Sequence, residues 1–156
     1  MNLTKFSEKI TSEIAQIIPP VELLEKCSEL LIKNHELTKT ILGYSESNYP
    51  IEVFEFGEGN TNILIYGFPD PGEAIGGTTI LALIKALLSK ESLLLDLNLK
   101  WIFIPCLNFE DQPQKGKKLE KVMKTKAQEV DWCLDNPREE TKVLLSLAEK
   151  YKPIIN

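Results

Sequence analysis

A chain of 156 residues with 43% hydrophobic and 26% charged residues has the size and composition of one globular domain. Folding a chain of this length buries about 68–70% of its unfolded surface. The net charge of −5 excludes the electropositive footprint of a nucleic-acid binder. No apolar run reaches the roughly 18 residues of a membrane-spanning helix, and M-N-L-T-K-F-S-E-K-I lacks the apolar core of a signal peptide. Cys27, Cys106 and Cys133 form no C-x-x-C pair, a sparse, odd set expected of reduced intracellular thiols. These features together predict a cytoplasmic protein with neither a nucleic-acid nor a membrane partner.

Phe6, Ile10, Ile14, Ile17 and Ile18 recur at helical spacing and predict a helix over 3–18. Pro19 and Pro20 end it and suit the first turn of a second helix, whose apolar stripe is Val21, Leu23, Leu24, Cys27, Leu30 and Leu31. Residues 37–43 and 50–56 read as strands joined by the turn Tyr44–Tyr49, a β-hairpin. Ile51, Val53 and Phe56 stand against Glu52 and Glu55 in the second of these. The turn G-E-G-N leads to N-I-L-I-Y, residues 62–66, apolar on both faces and so expected at the centre of the sheet.

A helix over 75–90 follows, with Ile75, Thr79, Ala82, Leu83, Ala86 and Leu87 inward, and then the apolar strand 100–106. Strand, helix and strand in this order imply a parallel crossover. Residues 108–116 read as a polar loop and 117–130 as a lysine-rich, modestly helical stretch with a solvated face. Pro137 fits the first turn of a last helix over 138–151, with Val143, Leu144, Leu147 and Ala148 inward, and 152–156 start a fifth strand. The expected fold is α/β: a mixed sheet of about five strands with helices on both faces. Residues 1–34 form a helical pair before one compact unit over 35–156.

The candidate site is the loop between strand 62–66 and helix 75–90, within Y-G-F-P-D-P-G-E-A-I-G-G-T-T-I. Ligands of α/β folds bind at the carboxyl ends of strands. Asp70 and Glu73 lie three residues apart here, a spacing that lets two carboxylates converge on one metal ion. The structural reading of the same residues is a turn held by Asp70 and a helix N-terminus complemented by Glu73.

This stretch resembles the zinc-binding loop of the zinc metallocarboxypeptidases, whose bacterial members often read G-F-P-H-P-x-E-P-I-G. Gly67, Phe68, Pro69, Pro71, Glu73, Ile75 and Gly76 match, and Asp70 stands where that family has a zinc-ligand histidine. The strand ending I-P-C and the run D-N-P-x-x-E-T-x-x-L followed by K-P also match. The resemblance covers residues 35–156 and implies the N-terminal half of a carboxypeptidase-like domain, with zinc or another divalent metal at Asp70 and Glu73.

The departures bear on activity. A catalytic zinc needs three protein ligands and one open position. The family's third ligand, a histidine past the fifth strand, has no counterpart, and the single histidine, His35, precedes the sheet. Two carboxylates suit magnesium, calcium or manganese better than zinc. Residues 107–137 contain none of the arginines with which the family grips a substrate carboxylate, which leaves Arg138 as the one substrate-binding candidate. Asp111 is a poor match to the family's P-D-G segment, and its general-base glutamate lies on a strand without a counterpart here. No G-x-S-x-G elbow occurs, and Cys106 reads as a core thiol rather than a nucleophile.

The resemblance therefore implies a divergent carboxypeptidase-like protein, inactive alone, that binds a peptide or protein partner or a second copy of itself. The alternative is a metal-dependent hydrolase using Asp70 and Glu73 and completed by a partner chain or another copy.

Overall fold

Residues 3–14, 16–45, 48–69, 73–89, 94, 97–109 and 135–153 are described by the computed structural model. The hairpin forms as expected. Strand β1 (Leu37–Tyr44) runs antiparallel to β2 (Pro50–Phe56), pairing Leu37 with Phe56 and Tyr44 with Pro50, with a bulge between Ile41 and Gly43. Strand β3 (Thr61–Tyr66) and strand β4 (Leu99–Ile104) are parallel and joined through helix α3 (Ala74–Leu88). β4 is also antiparallel to β2, pairing Phe54 with Phe103, so the sheet order is β1-β2-β4-β3.

This order corrects the expected placement of 62–66. Among the described residues β3 stands at an edge of the four-stranded sheet, and β2 and β4 occupy its two interior positions. An apolar pattern on both faces reports cover above and below a strand, not a hydrogen-bonded neighbour on each side. Ile63 packs toward the helical layer of α2 and α3, and Leu64 packs toward the opposite face. The strand count is corrected too: four strands are present among the described residues, where about five were expected. Lys152, in a left-handed conformation, ends the last helix, Lys152 and Pro153 are not in a strand, and 154–156 lie outside the described residues.

Helices cover both faces. On one side α2 (Pro20–Lys33) and α3 bury Leu23, Cys27, Ile80, Leu81, Ile84 and Leu87 against Phe54, Phe103 and Trp101. On the other, helix α4 (Glu139–Tyr151) buries Leu144, Leu147 and Tyr151 against Ile51, Val53, Leu64, Ile102 and Ile104. β2 therefore buries Ile51 and Val53 on one face and Phe54 and Phe56 on the other, fuller burial than its sequence alternation suggests.

Two helix assignments also shift. Helix α1 spans Leu3–Glu13 rather than 3–18. The residue before a proline disfavours helical backbone, and the Ile18 N–H instead donates to Thr78 Oγ1 at 3.1 Å, which ties the α1–α2 connection to α3. In α3 the expected Ala82, Ala86 and Leu87 are buried, joined by Gly77, Ile80, Leu81 and Ile84, while Ile75 is 52% exposed. Gly77 turns the helix this way: a Cβ there would lie 2.6 Å from both Leu23 Cδ2 and Phe68 Cε2.

The direction of α4 follows from its ends. Near its start Val143 lies against Gly43, so close that a Cβ on Gly43 would come within 2.6 Å of Val143 Cγ2. At its end Asn62 Nδ2 donates to the Tyr151 carbonyl at 2.6 Å. Gly43 pairs with Ile51 at the start of β2, the end of the sheet where β4 finishes. Thus α4 runs antiparallel to β3 and β4, and its N-terminus lies toward their carboxyl ends.

Candidate functional site at the carboxyl end of β3

The loop leaving β3 is held by backbone pairing before it opens. Gly67 N–H donates to the Ile104 carbonyl at 2.8 Å, Leu107 N–H to the Gly67 carbonyl at 3.0 Å and Asn108 N–H to the Phe68 carbonyl at 3.2 Å. Gly67 is required by proximity. A Cβ on it would meet Gly77 N at 2.5 Å and the Pro105 carbonyl oxygen at 2.6 Å, below any ordinary contact.

Phe68 follows with φ of 53°, a left-handed conformation that costs a non-glycine residue of order 1–3 kcal/mol and persists only where packing over-determines it. The Phe68 ring is fully buried against Gly77 and the core. A strained, buried residue at the root of the loop fixes the direction in which Pro69 leaves the sheet.

Of the two expected metal ligands, Asp70 lies outside the described residues. Glu73 immediately precedes α3, is exposed and makes no side-chain capping bond. Its side chain thus stands at the positive end of the α3 dipole. The expected convergence of Asp70 with Glu73 rests on the undescribed Asp70, and Asp111 too lies outside the described residues.

Arg138 is half-buried and immediately precedes α4. It lies toward the same end of the sheet as Gly67, but on the α4 side, whereas Glu73 sits on the α3 side. His35 is at the opposite end. It precedes Leu37, which pairs with Phe56, itself paired with Trp101 near the start of β4. A histidine there cannot join a site at the far ends of β3 and β4.

Cys106 does stand beside the loop, buried, with its thiol directed at the Asn108 carbonyl at 3.7 Å. Burial pushes this thiol up to about 12, so it is protonated at neutral pH and a poor nucleophile. Among the described residues no three His, Cys, Asp or Glu side chains are grouped as metal ligands require. Of the two expected ligands only Glu73 is among these described residues.

One residue at the site was passed over as part of a polar loop. Asn108 is 3% exposed, and its Nδ2 is buried without a hydrogen-bond partner. Leaving such a donor unpaired costs about 1–3 kcal/mol. It lies four residues beyond the end of β4 and is bonded through its backbone to Phe68, a placement that no sequence signal singles out.

No protein-family model matches this sequence, and no curated protein matches it. Solved structures do match in fold. Bovine thrombin-activatable fibrinolysis inhibitor, solved with a tick carboxypeptidase inhibitor, aligns with a TM-score of 0.64 and 15% identity, over 91% of this chain and 59% of its own. A metallo-carboxypeptidase from Pseudomonas aeruginosa aligns with a TM-score of 0.62 and 12% identity, over 84% and 36%. Carboxypeptidase A from Helicoverpa armigera gives 0.58 and 13%, over 96% and 49%. The fold is thus that of a partial metallo-carboxypeptidase-like domain, and the chain spans between about a third and three-fifths of the length of these proteins.

Proposed function

We propose that the chain is a divergent, cytoplasmic carboxypeptidase-like module that binds a peptide or protein at the carboxyl end of β3 and does not hydrolyse peptides on its own. One contrast supports this reading. The root of the loop is tightly built, with Gly67 against Gly77 and a strained, buried Phe68, yet the lone histidine is at the opposite end of the sheet. Asp70 in a family histidine's place gives, with Glu73, two hard oxygen donors. Zinc chemistry needs a third ligand and a softer set.

A peptide bound at this end reaches Arg138, whose planar fork suits a carboxylate. The alternative, a metal-dependent amide hydrolase completed by another chain or copy, draws support from the exposed Glu73 at the N-terminus of α3.

Incubation of the 156-residue chain with a broad peptide mixture, with zinc, manganese or cobalt added, separates the two readings. Binding without release of C-terminal residues is expected. Turnover that disappears in Glu73→Gln overturns the proposal and establishes the hydrolase.

A further inference from the structure

Helix α1 lies along the side of α3 that is turned away from the sheet. Thr78, Ala82, Lys85 and Ser89 recur on α3 at i, i+4, i+7 and i+11, which is one helical stripe. Ile80, Ile84 and Leu87 form the other side, packed in the core. Three ties set α1 and its connection to α2 antiparallel to α3 along that outer stripe. Lys9 Nζ donates to Ser89 Oγ at 3.4 Å, Lys85 Nζ to Glu13 Oε2 at 2.7 Å, and the Ile18 N–H to Thr78 Oγ1 at 3.1 Å. Ala82, between the last two ties, is buried.

α1 itself is lightly held. None of Thr4–Glu13 is buried, and Phe6 and Ile10 are half-buried, whereas α2 fully buries Leu23 and Cys27. The Lys85–Glu13 pair leaves its side chains 40% and 39% exposed, and exposed pairs contribute little. Sparse apolar burial and exposed ties mark a segment that opens ahead of the rest of a chain.

The third tie reaches the loop. Thr78 is fully buried, and its hydroxyl accepts from Ile18 and donates to the Ala74 carbonyl at 3.3 Å. Ala74 is the first residue of α3 and follows Glu73, which gives the helix no side-chain cap. One hydroxyl thus joins the α1–α2 connection to the first turn of α3.

We infer that α1 is a strap that opens and closes as a unit over α3, and that Thr78 transmits its state to the end of the loop at Glu73. With the strap closed, the Ile18 N–H occupies a lone pair of the Thr78 hydroxyl and directs its proton at Ala74. With the strap open, that donor is withdrawn, the hydroxyl turns freely and the first turn of α3 loosens. The inference concerns the conformation of the loop and stands whether or not the loop binds a peptide.

Amide hydrogen exchange and NMR of the full chain test it. The hydrogen-bonded amides of α1 are expected to exchange together, well before those of α2 and β4. Lys85→Met removes one tie but keeps the apolar stem, and is expected to speed that exchange about two- to fivefold. Ile10→Glu, on the half-buried side of α1, is expected to open the strap further. Across the parent and these two variants the Glu73 and Ala74 amide resonances are expected to move along one line in proportion to the open fraction. Adding Thr78→Val, which keeps the shape and removes the hydroxyl, is expected to abolish that movement, and adding Thr78→Ser to retain it. Exchange of α1 only with global unfolding, α1 exchange unchanged in both opening variants, Glu73 and Ala74 resonances that stay fixed while α1 opens, or the same movement in the Thr78→Val background overturns the inference.

Discussion

Gly67→Ala is the most severe single-methyl change the fold offers at the root of the loop. The added Cβ would lie 2.5 Å from Gly77 N, 2.6 Å from the Pro105 oxygen and 2.7 Å from Gly77 Cα. All three are backbone atoms, so no side chain can rotate away, and β3, α3 and β4 must separate. Overpacking of this kind costs about 1–3 kcal/mol. Separation also stretches the bonds from Gly67 N–H to Ile104 and from Leu107 N–H to Gly67, each contributing about 1 kcal/mol.

The expected loss is thus about 2–4 kcal/mol. For a chain of this size each kcal/mol lowers Tm by about 2–4 °C, which gives a drop of about 5–15 °C. Gly76→Ala is the control. Its Cβ would meet Gly67 Cα at 3.2 Å, a contact relieved by a few tenths of an ångström, and alanine gains about 1 kcal/mol of helix propensity. Its Tm is expected within about 4 °C of the parent. Thermal and urea unfolding of both variants decide the matter. Equal stability of Gly67→Ala and the parent, or equal losses in the two variants, refutes the close approach of loop, helix and strand.

Further predictions concern the tie between α4 and the sheet, and the thiols. Burial raises the Glu55 carboxyl, but the hydrogen bonds from Lys100 and Tyr151 and the charges of Lys100 and Lys150 outweigh it and hold the group below its usual range. A lowered folded value stabilises above the unfolded carboxyl's range, near about 4.3, and that stability is lost as pH falls through the folded value. Lys100→Met, which removes the 2.7 Å ion pair to Glu55, is expected to destabilise at pH 7 and to make stability fall less steeply with acid, measured as urea midpoints across pH. Cys27 and Cys106 are both buried and pushed up to about 12, largely by burial. In a Cys133→Ser variant a thiol reagent at neutral pH is expected to label the native chain far more slowly than the urea-unfolded one, and rapid native labelling would place one of these thiols outside the core.

The hairpin, the strand–helix–strand unit and α4 were legible because each rests on local periodicity and turn chemistry. The hairpin of 37–56 and the inward Leu144 and Leu147 needed nothing beyond their own segments. What depended on distant neighbours was not legible. The rank of β3 in the sheet is a question of lateral partners, and side-chain pattern reports only the two faces. The inward rotation of α3 depends on Gly77 meeting Leu23 and Phe68, and the early end of α1 on the Ile18 bond to Thr78, 60 residues away. Of the site, sequence identified the loop and the place of Glu73. It gave no hint of the left-handed Phe68 or the unpaired Asn108 amide, because both depend on the Pro105–Asn108 segment folding back beside the loop.

The central proposal, that the loop following β3 is not a working zinc centre, is tested most directly by elemental analysis of the freshly purified 156-residue chain after dialysis against a weak chelator. Fewer than three suitable ligands among the described residues predict no stoichiometric zinc, and the same trace content in Glu73→Gln. One zinc per chain that survives dialysis and is lost in Glu73→Gln would contradict the account.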